Sequence, residues 1–325
     1  MALPAATERT SLKRIVLAGG SGFLGTLLAA HFEKAGSPVV ILTRSPRNRT
    51  DGAREVLWDA RSPGGWVREL EGATAVVNLT GRSVDCRYHA TNRQEILESR
   101  LNSTRVIAEA IANCNPPPGI WLNASTATIY RHTLGPAWDE SGEIGATPEA
   151  KDAFSIEVAT AWERAFTEAR TPNTRQVALR SAMVLGLGEN SVFPALRRLA
   201  RCGLGGKMGT GRQFVSWIHQ TDFCRAVDWI IAREDLDGPI NIAAPNPVSN
   251  AEMLKIVRAA CGVPFGLPAA EWMLEFGAFF LRTETELIIK SRRVVPRRLL
   301  ESGFQFQYPR LREAVEDLHR KMEGE

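Results

Sequence analysis

The sequence predicts an α/β fold in which a doubly wound parallel sheet carries a smaller, mainly helical C-terminal lobe. Two observations predict it. From Arg14 onward short β-rich runs alternate with helical stretches, and a glycine-spaced turn joins the first run to the first helix. Alternation of this kind calls for parallel strands, because each helical crossover returns the chain to the same end of the sheet.

The β-rich runs are Arg14–Ala18, Val39–Thr43, Glu55–Trp58, Ala75–Leu79, Ile120–Ser125 and Gln176–Arg180. Most are short and rich in Val, Ile and Leu, as strands covered on both faces are. Between them, Phe23–Lys34, Asn92–Ala112 and Ala153–Thr167 read as helices covering the two faces. Beyond Gly186 the spacing turns irregular. A helix is expected over Val192–Arg201, another over Asp222–Arg233, a short strand at Pro239–Ile242 and further helices from Asn250. Residues 1–12 should form a flexible tail, 13–185 the cofactor domain and 186–325 the smaller substrate-side lobe, with the chain free to cross back between them.

Bulk properties exclude several functions. With 325 residues, 44% hydrophobic and 23% charged, the chain can bury a large core. The net charge of +4 is dispersed, and the cluster Arg292, Arg293, Arg297 and Arg298 lacks interleaved aromatics. It reads as a solvated helical face, and no nucleic-acid partner is expected. Cys86, Cys114, Cys202, Cys224 and Cys261 form no CxxC pair. Neither a disulfide framework nor a metal site is predicted, and a reducing cytoplasm suits these thiols. No apolar run is long enough for a membrane span, and the first dozen residues hold no apolar signal segment. The partner expected is an unidentified small-molecule substrate, and a homodimer is left open.

Ala18-Gly19-Gly20-Ser21-Gly22-Phe23-Leu24-Gly25 follows the first strand and opens the first helix. Gly19, Gly22 and Gly25 give the spacing GxxGxxG: the first for a tight turn, the second for approach of a pyrophosphate, the third for close helix–strand packing. An ordinary glycine-rich turn is the competing interpretation, and the placement between strand and helix favours a Rossmann-type dinucleotide site. After the second strand an acidic residue would favour NAD, yet the chain has Thr43-Arg44-Ser45, and a guanidinium suits the 2′-phosphate of NADP. No GK[ST] phosphate loop is present.

These motifs, with Asn78-Leu79-Thr80-Gly81 and Ala127-Thr128-Ile129-Tyr130, resemble the extended short-chain dehydrogenase/reductases. Glu98-Ser99-Arg100, Ala161-Trp162-Glu163, Gly209-Thr210-Gly211-Arg212-Gln213, Ser216-Trp217-Ile218-His219, Ala244-Pro245-Asn246-Pro247 and Gly303-Phe304-Gln305-Phe306 resemble its atypical epimerase subgroup, which carries a C-terminal domain of unknown function. The resemblance runs from about Arg14 to the C-terminus. It implies NADP contacts at Phe23, Leu24, Thr43, Arg44, Asn78, Leu79, Arg100 and Val184, with Thr80 and Gly81 beside the ribose. It also aligns Thr126 with the hydroxyl that polarises a substrate carbonyl, with Ser125 as its neighbour. A local backbone hydrogen bond is the alternative role for either hydroxyl.

The chain departs from that superfamily at the redox centre. Four residues after Tyr88, Tyr130 and Tyr308 stand Asn92, Leu134 and Arg312, so no Tyr-xxx-Lys pair exists. By helix context the two positions are Phe154 and Val158, members of an apolar packing stripe. Val215 likewise stands where nucleotide-sugar epimerases carry a diphosphate-gripping arginine. His219 is read as a hydrogen-bonding residue ahead of a helix, and Trp162 and Trp217 as core. Two functions follow. One is an NADP-dependent oxidoreductase or epimerase-like enzyme assisted by Thr126, Ser125 or Tyr130. The other is a non-catalytic NADP(H) sensor or protein-binding module.

Overall fold

A computed structural model describes residues 14–188, 190–270 and 286–324. The tail expected at 1–12 lies outside them. The chain runs through β1 (Ile15–Ala18), α1 (Phe23–Lys34), β2 (Val39–Thr43), β3 (Arg54–Leu57), β4 (Ala75–Asn78), α2 (Ala90–Ala112), β5 (Ile120–Thr126), α3 (Ala153–Thr167) and β6 (Arg175–Ser181). It continues through β7 (Met183–Leu185), α4 (Val192–Arg201), β8 (Phe214–Val215), β9 (Trp217–His219), α5 (Gln220–Ala232), β10 (Gly238–Ile242), β11 (Val248–Ser249) and α6 (Asn250–Ala260). After residues 271–285 come α7 (Glu286–Ile289), α8 (Arg297–Glu301) and α9 (Leu311–Glu323).

Seven parallel strands lie in the order β10-β6-β5-β4-β1-β2-β3. The doubly wound reading is therefore correct. The order reverses at β1, whose neighbours are β2 on one side and β4 on the other, and ligands of such sheets sit outside the strand ends at that reversal. The two sheet faces separate by alternate strand residues, as the pleat requires. Ile15, Leu17, Ile41 and Val77 pack with Leu28 and Phe32 of α1 and Phe223, Val227 and Ile230 of α5. Val16, Val40 and Val76 face the side of Val106, Ile107, Trp121 and Phe166. Full burial of such side chains contributes about 1.5–3 kcal/mol each.

The chain crosses back to the sheet after its first excursion: α5 lies beside α1, and β10 pairs with β6 at the edge. The smaller lobe has its own core, in which Phe193, Leu196, Trp217, Leu254, Val257, Val315 and Leu318 meet. Among the described residues no helix is long and apolar enough to cross a membrane.

The arginine cluster is not one solvated helical face, which corrects the expectation. Only Arg297 and Arg298 belong to a helix. Arg292 donates from Nε to Thr128 Oγ1 at 2.9 Å, and Arg293 lies over the Phe214 ring at 4.2 Å. The intervening Val294-Val295-Pro296 favours extended chain, since two β-branched residues followed by proline resist a helix. Val294 bridges to Trp138 and is fully buried.

Candidate functional site

The site begins where β1 turns into α1. Gly19 sits at φ 71°, and a Cβ there would lie 2.8 Å from Thr80 Oγ1, so the β1 and β4 loops touch at the reversal point. A Cβ on Gly25 would lie 2.3 Å from Gly20 Cα, which lets only glycine bring α1 this close to the loop. Gly22 is different, because the nearest atom to its added Cβ is 3.9 Å away. That leaves open space in front of the helix start. Gly22 offers no side-chain cap and the first turn of α1 has no acidic residue. Free N–H groups and the helix dipole there favour an anion.

Around this cradle, Thr80 Oγ1 is shielded from solvent with no hydrogen-bond partner among the described residues. Arg44, just past β2, is exposed with no ion pair among them, whereas nearby Arg49 is taken by Asp51 and Glu55. Thr43 is buried. Asn78 holds the end of β4 through Nδ2 to Asn123 Oδ1 at 2.7 Å, and its Oδ1 accepts from the Thr80 amide at 3.1 Å. Leu24, Leu79 and Val184 are partly buried and each packs against the core. A Cβ on Gly188 would lie 2.4 Å from the Phe23 ring, so the segment after β7 closes tightly over that side chain.

Arg100 lies beside Gly81, where an added Cβ would come within 3.1 Å of its Cζ. It donates to the Arg82 and Ile96 carbonyls and lies over Trp162 at 5.0 Å. Burial draws its pKa down to about 10. An orphaned hydroxyl, an uncapped helix start and an unpaired arginine are what a phosphorylated dinucleotide would satisfy, and the residues present fit one.

At the end of β5 the three hydroxyls part company. Ser125 Oγ donates to Glu163 Oε1 at 2.5 Å. Tyr130 is 1% exposed; its hydroxyl donates to Asn241 Oδ1 and accepts from Arg180 Nη1, both at 2.8 Å. Burial pushes its pKa up to about 12. Arg180 in turn grips Glu163 with Nε at 2.9 Å and Nη2 at 2.7 Å. Burial opposes its charge, but Glu163 outweighs that and raises its pKa. Both hydroxyls are thus spent on a buried network. Thr126 Oγ1 accepts from the Thr128 amide at 3.1 Å, which leaves its proton to donate.

Phe154 and Val158 are buried with Ile96. Against Phe154, at 4.9 Å between ring centres, stands Tyr88 from the loop after β4. Its hydroxyl donates to Glu286 Oε1 at 3.4 Å. Glu286 also accepts from Ser155, and Lys290 pairs with Asp152 and donates to the Thr128 carbonyl. Burial raises the Glu286 pKa and lowers that of Lys290. Sequence reasoning did not find this cluster: Tyr88 and Glu286 are 198 residues apart, and neither sits in a local motif.

The expected structural roles are present. His219 caps α5, its Nδ1 accepting from the Thr221 amide at 3.1 Å, and Trp162 and Trp217 are buried. Burial holds His219 down to about 4 against an ordinary 6.5. The unfolded chain therefore binds the proton first, and the stability contribution present above 6.5 is lost as pH falls through about 4. His219→Asn keeps a capping acceptor. It should melt with a shallower fall between pH 6.5 and 4 than the wild type by calorimetry; an unchanged slope would assign the acid sensitivity elsewhere.

Comparison with known proteins bears on the family and the fold. Residues 15–243 match the NAD dependent epimerase/dehydratase family, and residues 269–318 match a domain of unknown function, DUF1731. The epimerase family protein SDR39U1 of Bos taurus is 32% identical over 311 residues, covering 94% of this chain and 99% of the relative. The crystal structure of human SDR39U1 with NADPH superposes with a TM-score of 0.82 at 29% identity, covering 94% of this chain and 99% of that one. A nucleoside-diphosphate sugar epimerase from Corynebacterium glutamicum gives a TM-score of 0.74 at 28% identity, covering 94% of this chain and 58% of the other. The glycine turn, the strand order and the C-terminal match together show that the chain belongs to the NAD dependent epimerase/dehydratase family, in the form that carries a DUF1731 segment.

Proposed function

We propose that this protein is an NADP(H)-binding oxidoreductase or epimerase-like enzyme acting on a small carbonyl or hydroxyl compound. The observation that carries the reading is Arg44, exposed just past β2 and without an ion pair among the described residues, where β2 pairs with the strand leading into the uncapped start of α1. The NADPH held by the human relative supports it. Gly19, Gly22, Phe23, Leu24, Gly25, Thr43, Arg44, Asn78, Leu79, Thr80, Gly81, Arg100 and Val184 would hold the cofactor. Once bound, the dinucleotide supplies or accepts a hydride. Thr126 would orient the substrate oxygen with its spare proton. The competing sensor reading draws on one feature, the apolar Phe154 and Val158 at the usual proton-transfer positions.

The test is NADPH binding by fluorescence titration in the wild type and in Gly25→Val. Specific binding that is lost in the variant is expected, because the valine would collide with the Gly20 backbone. No binding to the wild type would end the proposal.

Nucleoside-diphosphate sugars should not bind. Val215 is a half-buried strand residue paired with Val248, and it offers a diphosphate neither charge nor donor. Calorimetry with UDP-glucose should show no binding near micromolar concentration, and a micromolar signal would mean another cation serves the diphosphate.

A further inference from the structure

We infer that the paired loops 203–209 and 265–269 of the smaller lobe dock on an anionic lipid bilayer, with Leu204, Phe265 and Leu267 entering it and the basic residues around them meeting the headgroups. The inference is independent of the cofactor reading, and a surface contact of this kind requires no spanning helix.

The two loops are zipped together through their backbones. The Leu267 and Ala269 amides donate to the Gly203 and Lys207 carbonyls at 2.8 and 3.0 Å, and the Gly206 and Gly209 amides donate to the Leu267 and Ala269 carbonyls at 3.2 and 2.8 Å. A Cβ on Gly206 would lie 2.4 Å from the Leu267 carbonyl carbon, so only glycine lets the two chains come this close. Side chains cannot enter between backbones in such contact. Leu204, Phe265 and Leu267 are accordingly 50%, 65% and 60% exposed. They form one group: the Phe265 ring lies beside Gly203, where an added Cβ would be 3.4 Å from its Cε2, and Leu204 follows directly. Large apolar side chains exposed together mark a contact surface, and a bonded loop pair loses little conformational entropy when it is covered.

Charge selects the occupant. The stretches 192–210 and 253–270 hold six Lys or Arg and no Asp or Glu, against a net charge of +4 for the whole chain. They are far apart in sequence, and the bias appears only where the fold joins them. Leu204 folds back on α4, its amide donating to the Leu199 carbonyl at 2.9 Å, so the turn that carries Arg198 and Arg201 adjoins the apolar group. Arg258 donates from Nη1 to the Gly205 carbonyl, and Lys207 stands on the loop pair itself. Arg198, Lys207 and Lys255 are exposed and form no ion pair among the described residues. Two carboxylates border the region: Glu252 at the N-terminal end of α6, and Glu323, which pairs with Arg197 and Arg201. A second copy docked through the same patch would set cations against cations. An anionic bilayer offers negative headgroups above an apolar interior, which matches both features.

Co-sedimentation of the full chain with vesicles tests the proposal. The protein should pellet with phosphatidylcholine vesicles that contain phosphatidylglycerol and not with phosphatidylcholine alone, and high salt should release it. Phe265→Ser with Leu267→Ser should weaken binding by at least about 100-fold, a factor of about ten or more for each side chain kept out of the bilayer. Arg198→Gln with Lys207→Gln should weaken it by about 25-fold, near fivefold for each cation. All four side chains are exposed, so both double variants should melt as the wild type does. No pelleting with the anionic vesicles, equal pelleting with the neutral ones, or binding that survives Phe265→Ser with Leu267→Ser would each overturn the proposal. A dimer in sedimentation velocity that comes apart in that double variant would overturn it too, by assigning the patch to a second copy.

Discussion

Arg180→Met is expected to destabilise the fold by about 3–5 kcal/mol, the usual cost of leaving one partner of a buried ion pair without the other. The side chains of Arg180 and Glu163 are only 6% and 12% exposed, and the guanidinium grips both carboxylate oxygens. Removing it strands Glu163 and also takes a donor from Tyr130 and from the Glu140 carbonyl. The loss should appear as a lower denaturant midpoint with little change in slope. Adding Glu163→Gln to Arg180→Met should recover part of it, because a neutral amide tolerates burial better than an unpaired carboxylate. A loss below about 1 kcal/mol would place this network among surface-like pairs and refute its structural role.

That network also explains why two hydroxyls next to the expected centre are poor proton donors. Ser125 and Tyr130 lie on or just after β5, where the family resemblance directs attention, and both face the Glu163–Arg180 side. Their orientation is set by α3 and β6, elements whose contacts no local motif declares.

Other features were open to sequence reasoning because they are local. The bounds of α1, α3 and α4 match their expected ranges, since apolar spacing and the turn residues around them are read within a dozen positions. The glycine turn is legible as a dinucleotide-type turn, whereas its contact with Thr80 depends on β1 lying beside β4, which the alternation of elements does not specify. The strand at Pro239–Ile242 was visible, but its pairing with β6 was not, since nothing in five residues specifies a neighbour some sixty positions earlier. Arg292 was misread for a related reason: clustered arginines suggest a wet surface until tertiary contacts bury one on Thr128. Tyr88 and Glu286 are the extreme case, with a loop and a short helix from opposite ends of the chain meeting in space.

If the crevice takes a phosphorylated dinucleotide, Arg44 is the residue whose replacement should change its affinity most. Arg44 is exposed just past β2 and forms no ion pair among the described residues. A charge-assisted contact to a 2′-phosphate contributes about 1.5–3 kcal/mol, or roughly 10- to 150-fold in affinity. In Arg44→Asp the new carboxylate repels that phosphate and can accept from the ribose hydroxyl of NADH, as acidic residues there do. The measurement is parallel titration of NADPH and NADH into the wild type and Arg44→Asp. A wild-type preference for NADPH of at least about tenfold that vanishes or reverses in the variant is expected; equal affinities in the wild type, or a preference untouched by Arg44→Asp, would contradict a 2′-phosphate contact at Arg44.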